Sequence, residues 1–219
     1  MPHRLVFSFA LVAIGALLPK SASAAVIAQG ANASHTHIGH VLEAFASTPD
    51  GQGLLPTAEA EAEIALQHAR LAGRDPTDID AMKRHARHVL NAIDPVEFAG
   101  GPGLGFGVKT AGEGINRHIE LAAGSDAASG NVRGHAAHVA AAARSVTQRA
   151  LHIVELAGQI LPMSDYNRAF NLVLQLRGLC EELTTGADVS GDGAISLSEG
   201  GLEQVRQHMT LMAEGEGLN

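Results

Sequence analysis

Apolar residues recur at helical spacing along most of the chain. Leu172, Leu176 and Leu179, for example, follow one another at steps of four and three residues, a spacing that places them on one face of a helix. No segment shows the strict apolar–polar alternation of a half-buried strand. Clusters of Gly and Pro interrupt the pattern and divide it into predicted helical segments at residues 35–47, 56–72, 77–92, 108–123, 132–160, 165–185 and 197–213. The pattern therefore predicts an all-α fold, a helical bundle of repeated hairpins.

The amino-acid composition supports a helical fold and excludes several kinds of functional site. Of the 219 residues, 46% are hydrophobic but only 3% are aromatic, so the core must consist of Ala, Leu, Val and Ile, which suits closely packed helices. The single cysteine, Cys180, excludes a disulfide framework, a cysteine zinc site and an iron–sulfur cluster, and we expect it to be buried and apolar in character. The net charge of −8 argues against a nucleic-acid partner. Histidine is unusually frequent, with 12 residues against 15 Lys and Arg together.

The first 24 residues have the composition of a secretory signal peptide. A short positive start at His3 and Arg4 precedes an apolar stretch, and Ala22-Ser23-Ala24 supplies small residues for cleavage. The apolar stretch, residues 5–18, is shorter than the roughly 20 residues that a membrane-spanning helix needs. We therefore predict a signal peptide over residues 1–24, cleavage near Ala24, and a periplasmic or secreted mature chain without a membrane span.

A histidine pair with the pattern H-x-x-H-V occurs three times. The copies are His37-Ile-Gly-His40-Val, His85-Ala-Arg-His88-Val and His135-Ala-Ala-His138-Val, with starts 48 and 50 residues apart. The first two copies also agree downstream, where the segment His68-Ala-Arg-Leu71 matches His118-Ile-Glu-Leu121. We infer that one helical hairpin was duplicated and that the third copy is partial.

The repeated pairs have the spacing of metal ligands. An H-x-x-H pair on a helix places both imidazoles on one face, with Cβ atoms about 5–6 Å apart, and two neutral imidazoles so placed can chelate copper, zinc or nickel. In an antiparallel hairpin, residues equidistant from the loop face each other, and we take the loops near residues 54 and 103 as the turns. This symmetry predicts two clusters: His68 with His37 and His40, and His118 with His85 and His88. The pair on the long helix, His135 and His138, is available to complete a cluster.

A lone helical histidine is more often a half-exposed polar residue than a ligand, and we interpret His35, His152 and His208 in that way. The repeated pairs resemble the small metal-binding protein family, which consists of periplasmic, histidine-rich four-helix bundles that bind divalent metals such as copper. The resemblance covers about residues 35–160. It implies metal buffering or scavenging by His37, His40, His85, His88, His135 and His138.

Residues 188–199 have the spacing of a twelve-residue calcium loop, which can supply every oxygen ligand of one cation. Positions 1, 3, 5, 7, 9 and 12 are Asp188, Ser190, Asp192, Ala194 (through its carbonyl), Ser196 and Glu199. Gly193 takes the turn at position 6, and Glu199 would bind calcium bidentately. With its flanking helical patterns, this part resembles the EF-hand superfamily over about residues 165–213.

The calcium loop has no second copy in the chain, although EF-hands normally pair. A homodimer formed through the unpaired loop, with Ile195 at the pairing position, is one assembly that the sequence leaves open. A solitary exported site suggests dissociation constants on the order of 10⁻⁴–10⁻³ M, which is typical of a structural clamp rather than a sensor.

Two further features predict surface structure only. Residues 100–107 are rich in glycine but follow no strand and lack a G-K-[ST] ending, so we interpret them as a flexible connection. Glu59, Glu61 and Glu63 alternate along a helix, so they share no face, and we expect them to lie on a solvated surface.

These features divide the chain into a signal peptide (1–24), a histidine-repeat helical bundle (25–163) and an EF-hand helix–loop–helix (164–219). The predicted function is that of an exported protein that binds calcium and that binds or buffers transition metal ions. One alternative is a calcium-stabilised interaction module with incidental histidines, and another is a bis-histidine haem protein or metalloenzyme. No H-E-x-x-H or G-x-S-x-G pattern occurs, and nothing in the sequence predicts an open coordination position or a substrate pocket, so we predict no enzymatic activity.

Overall fold

Seven α-helices account for most of residues 32–218, the part of the chain that the computed structural model describes. They are α1 (Ala33–Leu42), α2 (Leu54–Ala72), α3 (Ile79–Ile93), α4 (Val108–Gly124), α5 (Gly130–Ile160), α6 (Tyr166–Thr185) and α7 (Leu202–Glu216), with a 3₁₀ turn at Pro49–Gly51. Within the described residues, β-structure is limited to one isolated bridge between Ala44 and Gln52. The all-α prediction is confirmed.

Short polar side chains begin several of these helices. Asn32 accepts the amide of Ser34 at the start of α1, and Ser129 accepts the amide of Val132 at the start of α5, each at 3.0 Å. Such caps satisfy amides that have no partner within the helix. They fix where each of these helices begins.

Two predicted helix boundaries are wrong. The first helix was expected to reach residue 47 but ends at Leu42, because the amide of Phe45 bonds instead to the carbonyls of Gly51 and Gln52. The last helix was expected to begin at residue 197 but begins at Leu202. Gly200 and Gly201 precede it, and glycine disfavours helix by about 1 kcal/mol relative to alanine.

Small aliphatic side chains allow the helices to pack closely. Fully buried residues such as Ala58, Ala65 and Ala143 lie beside Leu, Val and Ile in one continuous core. The longest helix, α5, contacts α3, α4, α6 and α7. Helix α2 packs against α3, α4 and α6, and α1 packs against α4. These pairings determine which histidines meet.

The glycine-rich connection between α3 and α4 is anchored by a buried carboxylate. Glu61 on α2 is fully buried, and its Oε1 accepts the amides of Phe106 at 3.0 Å and Gly107 at 2.9 Å. Its Oε2 accepts the amide of Leu104 at 3.0 Å. Burial removes the water that would hydrate this carboxylate, and the three hydrogen bonds from loop amides take the place of that water.

The expectation that Glu61 lies on a solvated surface is wrong. Its neighbours differ from it, since Glu63 is exposed and Glu59 forms an ion pair with Arg206 of α7. Periodicity alone could not distinguish these three carboxylates, because the partner of Glu61 is a loop more than 40 residues away.

All described residues belong to one compact unit. The predicted signal peptide, residues 1–24, lies outside the described part of the chain. Among the described helices, none is both long enough and apolar enough to cross a membrane.

Candidate metal centres

Nine histidines lie at the margin of the core, on helix faces that meet a neighbouring helix. Each of them is half-buried and directly precedes a buried apolar residue, as His37 precedes Ile38 and His88 precedes Val89. The buried neighbour fixes the helix face, so the imidazole projects along the seam between two helices. The nine are His37, His40, His68, His85, His88, His118, His135, His138 and His208.

The first triad consists of His37 and His40 on α1 and His118 on α4. The Nδ1 atom of His118 lies 3.0 Å from Nδ1 of His37 and 3.3 Å from Nδ1 of His40. The ring of Phe45 packs edge-on against His40 and His118, with centroid distances of 5.5 and 5.0 Å. The triad therefore has an apolar wall on one side.

The second triad consists of His85 and His88 on α3 and His68 on α2. The Nδ1 atom of His68 lies 2.9 Å from Nδ1 of His85 and 3.3 Å from Nδ1 of His88. In both triads, a pair from one helix meets a single histidine from a neighbouring helix, and the same ring nitrogens converge.

The environment keeps the central imidazoles neutral. Burial, and then the charges of His88 and His85, lower the pKa of His68 to about 4. Burial, and then the charges of His40, His37 and Arg117, lower the pKa of His118 to about 4. Burial also lowers the pKa values of His37, His85 and His88. A neutral imidazole has a free lone pair, which is the form that binds a metal.

The first and second triads could each hold a metal ion. In each, one nitrogen per ring lies within 4.8 Å of the others, and within residues 32–218 these are the two groups of three His, Cys, Asp or Glu side chains that meet this condition. Two nitrogens bound to one tetrahedral zinc at about 2.0–2.1 Å lie about 3.3 Å apart. The shortest separations in the triads, 2.9 to 3.3 Å, are close to that value.

The predicted partners of the lone histidines are exchanged. His68 was expected opposite His37 and His40, but it meets His85 and His88, and His118 meets the α1 pair instead. The symmetry argument was applied to the wrong loops. The six residues between α2 and α3 form the short connection that makes antiparallel neighbours. The loops near residues 54 and 103 join helices that pack little against each other.

The third triad consists of His135 and His138 on α5 and His208 on α7. Nδ1 of His135 lies 3.2 Å from Nδ1 of His208, and Nδ1 of His138 lies 3.3 Å from Nε2 of the same ring. His208, which we interpreted as a half-exposed polar residue, is half-buried and in contact with both histidines of the α5 pair. A signal for it exists in the sequence: His208-Met-Thr-Leu211 repeats the H-x-x-L pattern of His68 and His118.

Two of the remaining histidines belong to no triad. His35 pairs through Nε2 with Glu216 at 3.0 Å, and His152 is exposed on α5. Cys180 is a buried free thiol, as predicted, and burial raises its pKa.

The predicted calcium loop, residues 188–199, lies between α6 and α7 and folds around its own carboxylates. Asp188 accepts the amides of Gly191 at 2.7 Å and Asp192 at 3.1 Å through Oδ1, and that of Gly193 at 2.8 Å through Oδ2. Gly191 and Gly193 have φ values of 75° and 86°, a backbone conformation that favours glycine. These turns bring the loop around Asp188.

Glu199 closes the loop from the other end. Its Oε1 accepts the amide of Ser190 at 2.7 Å, and its Oε2 accepts the amide of Ser196 at 2.9 Å. Hydrogen bonds from Ser196, and then from Ser190, lower the pKa of Glu199 to about 2. The ionised carboxylate of Glu199, at the twelfth position, therefore links the backbone at the third position, Ser190, with the backbone at the ninth, Ser196.

Comparisons with known proteins give no relative: no family model matches the chain, and neither does a curated protein or a solved structure.

Proposed function

We propose that this protein binds transition metal ions at the first and second triads and buffers them. The observation that carries the proposal is the convergence of three ring nitrogens, contributed by two helices, in each of two places. Neutral imidazole suits zinc, copper and nickel, whereas calcium and magnesium prefer oxygen ligands. The rings are half-exposed, so an ion can reach them and leave again, as a buffer requires.

A titration of the metal-free, untagged chain with zinc or copper against a chromogenic chelator tests this proposal. His118→Gln should remove the ion of the first triad, and His68→Gln should remove the ion of the second, because each variant leaves only a two-imidazole site. His152→Gln is the matched control, since that histidine is exposed and outside the triads. If His118→Gln and His68→Gln both bind as many metal ions per chain as the wild type, the assignment of the two triads is refuted.

We further propose that the loop 188–199 binds calcium as a single EF-hand. The loop has the required spacing of oxygen ligands, and its turns already bring Glu199 close to the third and ninth positions. Glu199→Gln should abolish calcium binding measured by calorimetry, because the amide cannot provide a bidentate anionic ligand. Calcium binding that survives this change would place the site elsewhere.

We also propose that the protein is exported. A periplasmic or secreted chain would meet extracellular calcium and transition metals together, which accords with the low-affinity calcium site expected from a solitary loop. Elemental analysis of the protein from its native compartment, without chelator, separates the two chemistries. Calcium without copper, zinc or nickel would instead favour a calcium-stabilised interaction module.

A further inference from the structure

The third triad shares an edge-to-face ring contact with both other triads and a tilted contact with the first, whereas the corresponding rings of the second triad are stacked at 24°. The rings of His138 and His208 are edge-to-face, with centroids 4.4 Å apart and planes at 84°. The equivalent contacts are 4.8 Å and 83° in the first triad and 4.6 Å and 82° in the second. His135 and His208 lie 5.5 Å apart and tilted by 42°, against 5.2 Å and 45° for the equivalent rings of the first triad.

One difference separates the third triad from the others. His135 and His138 approach different nitrogens of His208, and their own centroids are 6.4 Å apart, against 5.7 and 5.5 Å in the first and second triads. In this arrangement the three rings do not bring one nitrogen each within 4.8 Å of the others, as the first and second triads do, so an ion at the third triad requires His208 or a histidine of α5 to reorient.

The third triad also occupies a distinctive place, between α5 and the helix that leaves the calcium loop. At one end of α7, Arg149 of α5 donates to the carbonyls of Glu199 at 2.6 Å and Gly200 at 2.8 Å. At the other end, Asn131 of α5 donates to the carbonyl of Met212 at 2.9 Å. His208 lies between these anchors, so α7 is fastened antiparallel to α5 at three levels.

We propose that His135, His138 and His208 form a third transition-metal site, and that its ion and the calcium ion of the loop 188–199 strengthen each other's binding through α7. Glu199, which closes the loop, lies three residues before α7 begins. A calcium ion in the loop would hold the start of that helix against α5, and a metal ion at His208 would hold its middle. Both ions therefore favour the same docked position of α7, and such coupling is reciprocal. The coupling rests on the proposed calcium function, whereas the third site does not.

The first experiment isolates the third site in the full chain. The His68→Gln/His118→Gln variant lacks the central ligand of the first two triads and should bind one equivalent of zinc. When His208→Gln is added to this variant, the bound zinc should be lost. When His152→Gln is added instead, the bound zinc should remain. Circular dichroism confirms that each variant is folded, and His138→Gln provides a second loss-of-site variant on α5. Zinc that persists without His208 and His138, or no zinc in the parent double variant, would overturn the third site.

The second experiment measures the coupling in the same double variant. Saturating calcium should raise its zinc affinity by about fivefold or more, the lower end of typical coupling between sites. Glu199→Gln should abolish this gain without removing zinc binding. Equal zinc affinity with and without calcium would overturn the coupling. If the wild type meanwhile binds two zinc ions that depend on His68 and His118, the buffering function stands and only the third site and its coupling fail.

Discussion

His68 and His118 are imidazoles whose protonated form is disfavoured by their surroundings. Burial is the larger cause, and the neighbouring histidines, which would add like charge, are the second. The consequence is a nitrogen lone pair that stays available well below neutral pH. For a metal site this is useful, since the ion does not have to displace a proton from these two ligands.

We predict that His68 and His118 titrate near pH 4 in the metal-free protein. The measurement is a pH series of histidine NMR spectra. Replacing His37 and His40 by Gln should raise the pKa of His118 only part of the way to 6.5, because burial remains. Midpoints at or above 6.5 for both residues in the wild type would contradict the described environment.

The same shifts make the metal-free fold sensitive to acid. The folded-state pKa values lie below the unfolded value of 6.5, so the unfolded chain binds more protons at intermediate pH. The stability that these residues contribute is therefore present above about pH 6.5 and is lost as the pH falls towards 4. Urea unfolding at pH 7 and pH 4.5 should show this loss, and the His68→Gln/His118→Gln variant should show a smaller one.

At the scale of elements, Glu61 joins α2 to the connection between α3 and α4. Glu61→Ala would leave three amides of that connection without a partner, and we expect a loss of about 3 kcal/mol in the free energy of unfolding. Glu63→Ala, two residues along on the exposed side of α2, should change stability by less than about 0.5 kcal/mol. Equal losses in the two variants would show that the buried carboxylate does not anchor the loop.

Local patterns in the sequence predicted the helices and the three H-x-x-H pairs, because both depend on spacing within one helix. The partner of each pair could not be predicted in the same way. It depends on whether α1 packs on α2 or on α4, and hence on loop length and on the shape of the core. His208 and Glu61 were missed for this reason, as their partners lie on elements 70 and more than 40 residues away.

At the scale of the whole molecule, each of the first two triads combines histidines from both copies of the repeat. The α1 pair from the first copy meets His118 from the second copy, and the α3 pair from the second copy meets His68 from the first. Neither copy alone brings three histidines together in this way. A metal ion at either triad therefore requires one helix from each copy to be packed against the other.

Metal binding should accordingly stabilise the whole bundle. Zinc at 100 times its dissociation constant should add about 2.7 kcal/mol for each site that exists only in the folded chain. Thermal unfolding should show a higher Tm with zinc, reversal by a chelator, and a smaller rise in His68→Gln. A Tm that zinc leaves unchanged would indicate binding to surface groups that remain available in the unfolded chain.

The most direct measurement of the central claim is X-ray absorption of the untagged chain loaded with one equivalent of zinc. Binding at the triads predicts a zinc shell with about three imidazole nitrogens at roughly 2.0–2.1 Å, and no more than two imidazole nitrogens in the variant that lacks His68, His118 and His208. A shell dominated by oxygen, with one imidazole or none, would contradict the assignment of the histidine triads as metal centres.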